Sequence, residues 1–346
     1  MSIKPGPLNL ITDVEGIRVG NAEDRRAMTG TTVILTDMAC AAGVDVRGGG
    51  PGTRETDLLA ATCRVDQIDA VVLSGGSAFG LAAGDGVTQW LAAQGRGYPT
   101  RAGPVPIVPG AILFDLANGG DKSWGEEPPY RRLGIAAAAN AGQRFALGNA
   151  GAGLGAGAGR LKGGLGSASS VTPAGLQVGA IVAVNSFGSV TMPGLRHFWA
   201  WYLEQGGELG GLGPPDLAPP IDLEPECKTP LDARSMIGAP VSNTTIAVVA
   251  TNARLDKADA TRVAIMAQDG LARAIRPVHT PYDGDTVFCL ATGRFMLAGP
   301  SELLRVGALA ADCLARAVMR AVYEADSLGA MPGYRSRHAT KGETRD

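Results

Sequence analysis

Histidine and cysteine, the side chains that most often build soft metal sites, are thinly spread in this sequence. His197, His279 and His338 stand far apart, which argues against a His-rich metal site. No residue pattern requires a metal or another cofactor. Cys40, Cys63, Cys227, Cys289 and Cys313 are odd in number, scattered and without CxxC spacing, so they read as buried thiols in a reducing cytoplasm. An excess of charge is also missing. The formal net charge is −2 and the pI about 6.0, which favours neither nucleic acid nor an anionic membrane as partner. No apolar run reaches the roughly 18 residues of a membrane span. Met1 to Pro7 lacks the hydrophobic core of a signal peptide, so a cytoplasmic location is expected.

Glycine is what the chain has in plenty: 50 of 346 residues, about twice the usual share. The glycines lie in short clusters within hydrophobic sequence, a pattern of tight turns and close backbone approach rather than disorder. Strand-like and helix-like segments alternate. Residues 16–20, 31–36, 70–73, 111–116, 178–188, 245–251 and 287–292 read as strands, and residues 82 to about 95, 133–145, 256–275 and 302–326 as helices. Residues 44–57 read as a solvated loop. From about Gly206 to Ile237 the Gly, Pro and Asp/Glu content predicts a long irregular connection. The end, from about Gly329, reads as a solvated tail.

Known glycine motifs are absent. The turn Ser74-Gly75-Gly76-Ser77-Ala78-Phe79 between strand and helix is neither GxGxxG nor GxSxG, although its geometry can aim backbone N–H groups at an anion or a carbonyl oxygen. Lys162 follows a glycine-rich stretch without completing GxxxxGK[ST], so a phosphate loop is rejected. That stretch either brings Arg160 and Lys162 to an apolar site or is a hinge with solvated charges. Asn185 closes a buried strand, as a turn cap or as a donor to a developing oxyanion. Asp283-Gly284-Asp285 precedes another buried strand, as a turn or as carboxylates directed at a nucleophile.

Asn243-Thr244-Thr245 leads into the run Ile246-Ala247-Val248-Val249-Ala250. An ordinary strand start accounts for these residues. So does self-cleavage: a hydroxyl at a strand edge, lying against the carbonyl before it, can attack that carbonyl. The α-amine released on Thr244 would titrate at about 7.7–8.0 and serve as base for its own hydroxyl.

Four segments in series, Leu73–Leu81, Lys162–Ser169, Asn243–Thr245 and Asp283–Thr286, resemble the L-aminopeptidase/D-esterase family, which includes β-peptidyl aminopeptidases and nylon-oligomer hydrolases. The resemblance spans about residues 8 to 330. It implies an α/β fold, a four-layer αββα sandwich, with residues 1–330 as one domain and 331–346 as a solvated tail. It implies self-cleavage into chains 1–243 and 244–346, with Thr244 as nucleophile and Asn243–Thr244 as the cut bond. It also implies Asn185 as oxyanion support and Asp283 and Asp285 around the nucleophile. The family's catalytic lysine aligns with Arg160, with Lys162 two residues on. Gly75, Gly76 and Ser77 fall on the substrate side, and Phe114 replaces a tyrosine that some members place near substrate. The expected reaction is hydrolysis of small peptides and aminoacyl amides or esters, without cofactor, by a homo-oligomer of two-chain units. Two alternatives stand beside it: acyl transfer of the ornithine acetyltransferase kind, and a small-ligand binding protein without hydrolysis.

Overall fold

The computed structural model describes residues 2–216, 226–228 and 243–339. Strands β1 (Ile17–Asp24) and β2 (Thr29–Val46) open the chain, followed by β3 (Thr53–Arg54), β4 (Gln67–Ser74) and helix α1 (Ala82–Ala92). A small hairpin, β5 (Tyr98–Thr100) and β6 (Gly103–Val105), precedes β7 (Gly110–Ile112) and helix α2 (Tyr130–Ala139). A second hairpin, β8 (Gly157–Ala158) and β9 (Leu161–Lys162), leads into β10 (Gly164–Val171) and β11 (Gln177–Asn185). Then come β12 (Thr244–Ala253), α3 (Lys257–Ala274), β13 (Thr286–Phe295), α4 (Pro300–Tyr323) and α5 (Tyr334–His338).

The strand order is β10-β11-β12-β13-β2-β4-β7-β3, with β1 also on β2. The 18-residue β2 makes this one path into two layers. Its first half pairs with β1 and β4, and its last residues pair with β13. Side chains alternate between the faces of a strand, and here both faces are apolar. Along β12, Ile246, Val248 and Ala250 enter the core between the layers, whereas Ala247 and Val249 pack outward under α3 and α4. Along β4, Val71 and Leu73 point inward and Ala70 and Val72 outward under α1 and α2. The result is the α/β four-layer αββα sandwich.

Glycine lets the helices sit close to the strands. A methyl group at Gly43 of β2 would collide with the α3 backbone at Thr261, and one at Gly166 of β10 with the Ala317 carbonyl of α4. Helix α3 begins at Asp256, whose side chain accepts the Asp259 N–H, as an N-cap does. The βαβ unit β12–α3–β13 is parallel, with Ile246 opposite Thr286. Arg316 of α4 is 1% exposed. It donates to Glu208, the Ser169 carbonyl and Asn9, tying three remote segments to the helix.

Three expectations need correction. The strand expected over 111–116 ends at Ile112, because Leu113 and Asp115 turn away to accept the Ser77 and Gly76 N–H groups. The helix expected over 133–145 ends at Ala139, where the chain turns to pair Gly142 with Val19. The expected solvated tail is ordered through α5: Tyr334 is 4% exposed and stacks on Phe198, and Pro332 accepts the Lys162 N–H. Of the expected connection over 206–237, residues 217–225 and 229–237 lie outside the described residues, as do 340–346 of the tail.

Candidate active site

The strand pairing that closes the inner core brings β11 and β12 to a common end. Asn185, the last residue of β11, is the register partner of Thr244, the first of β12. Both are buried. Asn243 donates its N–H to the Tyr282 carbonyl at 3.0 Å. Its own carbonyl accepts the Gly284 N–H at 3.0 Å and also the Thr244 hydroxyl. The carbonyl that precedes Thr244 therefore carries a backbone donor on its oxygen, with the hydroxyl of the next residue against it.

The turn that supplies Gly284 is held by its carboxylates. Asp285 Oδ1 accepts the Thr245 N–H at 2.8 Å, and Oδ2 accepts the His279 N–H at 3.0 Å and faces His279 Nδ1 at 2.8 Å. Asp283 accepts from the Phe187 N–H at 3.2 Å and from the Thr280 N–H and hydroxyl. Burial, and then the neighbouring Asp285, push the Asp283 carboxyl above the usual range. The loop read as solvated contributes here too. Arg47, Gly48 and Gly50 donate backbone N–H groups to the Asp285 and Asp283 carbonyls, so the loop forms a strap behind the turn. The run Gly48-Gly49-Gly50 was the sequence signal for that close approach.

Two lysines lie near the Asn185 end of β11. The tight turn between β8 and β9 is Gly159-Arg160, with Gly159 at φ +54°. Arg160 sits at the tip and is exposed, whereas Lys162 on β9 is buried. Lys162 donates to the Gly153 carbonyl at 2.9 Å and to the Gly163 carbonyl at 2.7 Å. Desolvation first, then the charge of Lys228, lower its pKa to about 7, and Asp115 opposes that shift. Lys228 donates its ammonium to Asn185 Oδ1 at 2.9 Å. Burial lowers its pKa to about 8, against the pull of Asp283. Asn185 Oδ1 also accepts the Gly157 N–H at 3.0 Å, and its Nδ2 donates to the Phe114 carbonyl at 2.9 Å.

Gly75, Gly76 and Ser77 are linked to the site through the next segment. Ser77 donates its N–H to the Leu113 carbonyl and Gly76 to Asp115, next to Phe114. Asp115 is buried and also accepts the Thr29 hydroxyl; desolvation raises its pKa. Lys228 and Asp115 escaped sequence reasoning. Lys228 is a lone lysine in a Gly/Pro-rich stretch, and Asp115 lay within an expected strand. Among the described residues, no helix is long and apolar enough to cross a membrane.

The sequence profile of Peptidase family S58 matches residues 9–336, nearly the whole chain. The chain belongs to this family. As a family S58 peptidase it is a hydrolase of peptide and amide bonds. An uncharacterized aminopeptidase of Mycobacterium tuberculosis is 45% identical to this peptidase over 349 residues, covering 95% of it and 97% of the relative. A 6-aminohexanoate-oligomer endohydrolase of Kocuria sp. is 29% identical over 320 residues, covering 89% and 82% of the two chains. Among solved structures, the Burkholderia sp. beta-aminopeptidase matches with a TM-score of 0.70 at 24% identity, covering 97% and 93%. The L-aminopeptidase D-Ala-esterase/amidase of Ochrobactrum anthropi, a variant of the Ntn hydrolase fold, gives 0.69 at 21%, covering 96% and 90%. This S58 peptidase has that fold.

Proposed function

We propose that this peptidase cuts its own Asn243–Thr244 bond and then uses Thr244 as the nucleophile on aminoacyl amides or esters. The observation that carries this reading is the Asn243 carbonyl, which lies between the Gly284 N–H and the Thr244 hydroxyl. In the first step Oγ of Thr244 bonds to the Asn243 carbonyl carbon, and the oxygen takes up negative charge facing Gly284. The C–N bond then breaks and the hydroxyl proton ends on the departing nitrogen, leaving an ester and a free α-amine. Water adds to the ester carbon, returning the Thr244 hydroxyl and leaving a carboxylate on Asn243. Turnover repeats this chemistry on a substrate carbonyl, with the new α-amine as base and Asp283 and Asp285 holding it. Lys162, with a pKa near neutrality, is suited to move a proton at working pH.

The named relatives support amide substrates in the class of aminopeptidase substrates and 6-aminohexanoate oligomers. The homo-oligomer of two-chain units is part of the same proposal, with exposed Met38, Met296 and Leu304 as apolar surface; sedimentation of the matured protein tests it. For the central reading, intact mass under denaturing conditions is decisive. Expected are two fragments that sum to the precursor plus one water, the smaller starting at Thr244, and an uncut, folded Thr244→Ala variant. Normal cutting in Thr244→Ala would overturn the reading.

A further inference from the structure

Lys228 lies ahead of the bond proposed to be cut and reaches back into the site. Its backbone N–H donates to the Phe187 carbonyl at 2.9 Å, just beyond the end of β11. Its side-chain stem crosses Gly157, where an added methyl group would lie 3.2 Å from Cε and 2.6 Å from Met331 Sδ. The ammonium then meets Asn185 Oδ1. Gly157 is also the hairpin partner of Lys162, so one glycine admits Lys228 between Asn185 and Lys162.

We propose that Lys228 is a positioning residue of the active site: its ammonium fixes which way the Asn185 amide faces and sets a second positive charge against Lys162. An amide can flip by half a turn, exchanging its oxygen and nitrogen. Two donors on Oδ1, Gly157 N–H and Lys228 Nζ, together with the Phe114 carbonyl that accepts from Nδ2, hold the amide in one orientation. Among the described residues the carboxylate that acts on Lys228 is Asp283. The charged groups acting on the two lysines are each other, Asp115 beyond β7 on Lys162, and Asp283 on the turn before β13 on Lys228. Removing the Lys228 charge relieves Lys162 of a repulsion, so Lys162 holds its proton to higher pH.

The proposal rests on the self-cleavage reading, and the experiment separates the two. The rate of cutting is followed by intact mass between pH 5.5 and 9 for the wild type, Lys228→Gln and Lys228→Arg, with thermal melts to establish folding. Lys228→Gln is expected to cut about tenfold more slowly at neutral pH, as misorientation of a reacting group does, with its acid limb moved to higher pH. Lys228→Arg keeps the charge and should keep the limb in place. A folded Lys228→Gln with the wild-type rate and profile overturns the proposal, and so does an Arg variant whose limb moves upward. If the Gln variant does not fold, Lys228→Met, which also removes the charge, takes its place in the same comparison. A wild type that never cuts sinks the self-cleavage reading itself; a wild type that cuts beside an unshifted Gln variant sinks only the role of Lys228.

Discussion

Gly284 and Thr244 meet across the Asn243 carbonyl, one by its backbone N–H and the other by its hydroxyl. The space between them is tight. A methyl group added at Gly284 would lie 2.8 Å from Thr244 Oγ and 2.8 Å from the Gly50 carbonyl. Gly284→Ala is therefore expected to displace the donor or the nucleophile. Loss of one oxyanion donor typically costs about 10²–10³ in rate, so the proposed cut should be slower than in the wild type by about that factor. A time course on denaturing gels checks this, and wild-type cutting would refute it.

Asp285 acts through the backbone, accepting the N–H of Thr245 with one oxygen and of His279 with the other. Asp285→Asn replaces one acceptor by a donor against these N–H groups. The start of β12 should shift, and displacement on the ångström scale costs about 10²-fold in well-aligned reactions. Slow cutting with an unchanged circular dichroism spectrum is the expected result.

Lys162 makes stability depend on pH. An unfolded lysine keeps its proton to about 10.4, whereas folded Lys162 releases it near 7. Between these values the unfolded chain binds more protons, so stability rises with pH, by up to about 1.4 kcal/mol per unit for one proton. Lys228 adds a similar slope from about 8 upward. In a Thr244→Ala background, Lys162→Met should lower stability by stranding the Gly153 and Gly163 carbonyls, yet flatten the rise between pH 7 and 9. Urea titrations at both pH values give the difference. An undiminished slope would show that Lys162 is protonated in the fold at neutral pH.

Arg316 and Glu208 form a buried pair at 2.6 Å, with Arg320 only at 3.8 Å from the same carboxylate. Arg316→Met leaves Glu208 short of charge and should cost about 3–5 kcal/mol. Adding Glu208→Leu should recover much of that loss, because an apolar pair needs no compensation. Denaturation midpoints of the single and double variants test the sign of the recovery.

The legible parts of the chain were those where burial on both faces writes a continuous apolar run, as in β11, β12 and β13. Long helices such as α3 and α4 were equally plain, since their apolar stripe repeats with the helical period. Shorter elements were set by partners remote in sequence. Nothing local in Ile112-Leu113-Phe114 says that the strand must stop so that Leu113 and Asp115 can hold the Gly75–Ser77 turn. Arg160 and Lys162 have similar neighbours and the same charge, and only the hairpin turn at Gly159-Arg160 puts one in solvent and the other inside. Thr244, Asn185, Asp283 and Asp285, which the family resemblance implied, lie together in space. Lys228 carried no pattern, because its role comes from where an irregular segment happens to pass.

The position of β12 and β13 in the sheet has a consequence for the life of the molecule. Both strands lie between β11 and β2, so the segment after Asn243 is threaded through the centre of a layer belonging to the segment before it. Once the bond is cut, neither piece has a complete sheet of its own. The cut molecule would be a nicked fold rather than a pair of subunits, with its assembly instructions held only in the continuous chain. Heated apart, its two fragments would have to find each other and interleave, a second-order search that the newborn chain never faced. The proposed cut would thus exchange the capacity to refold for a reactive amine fixed in the middle of a sheet.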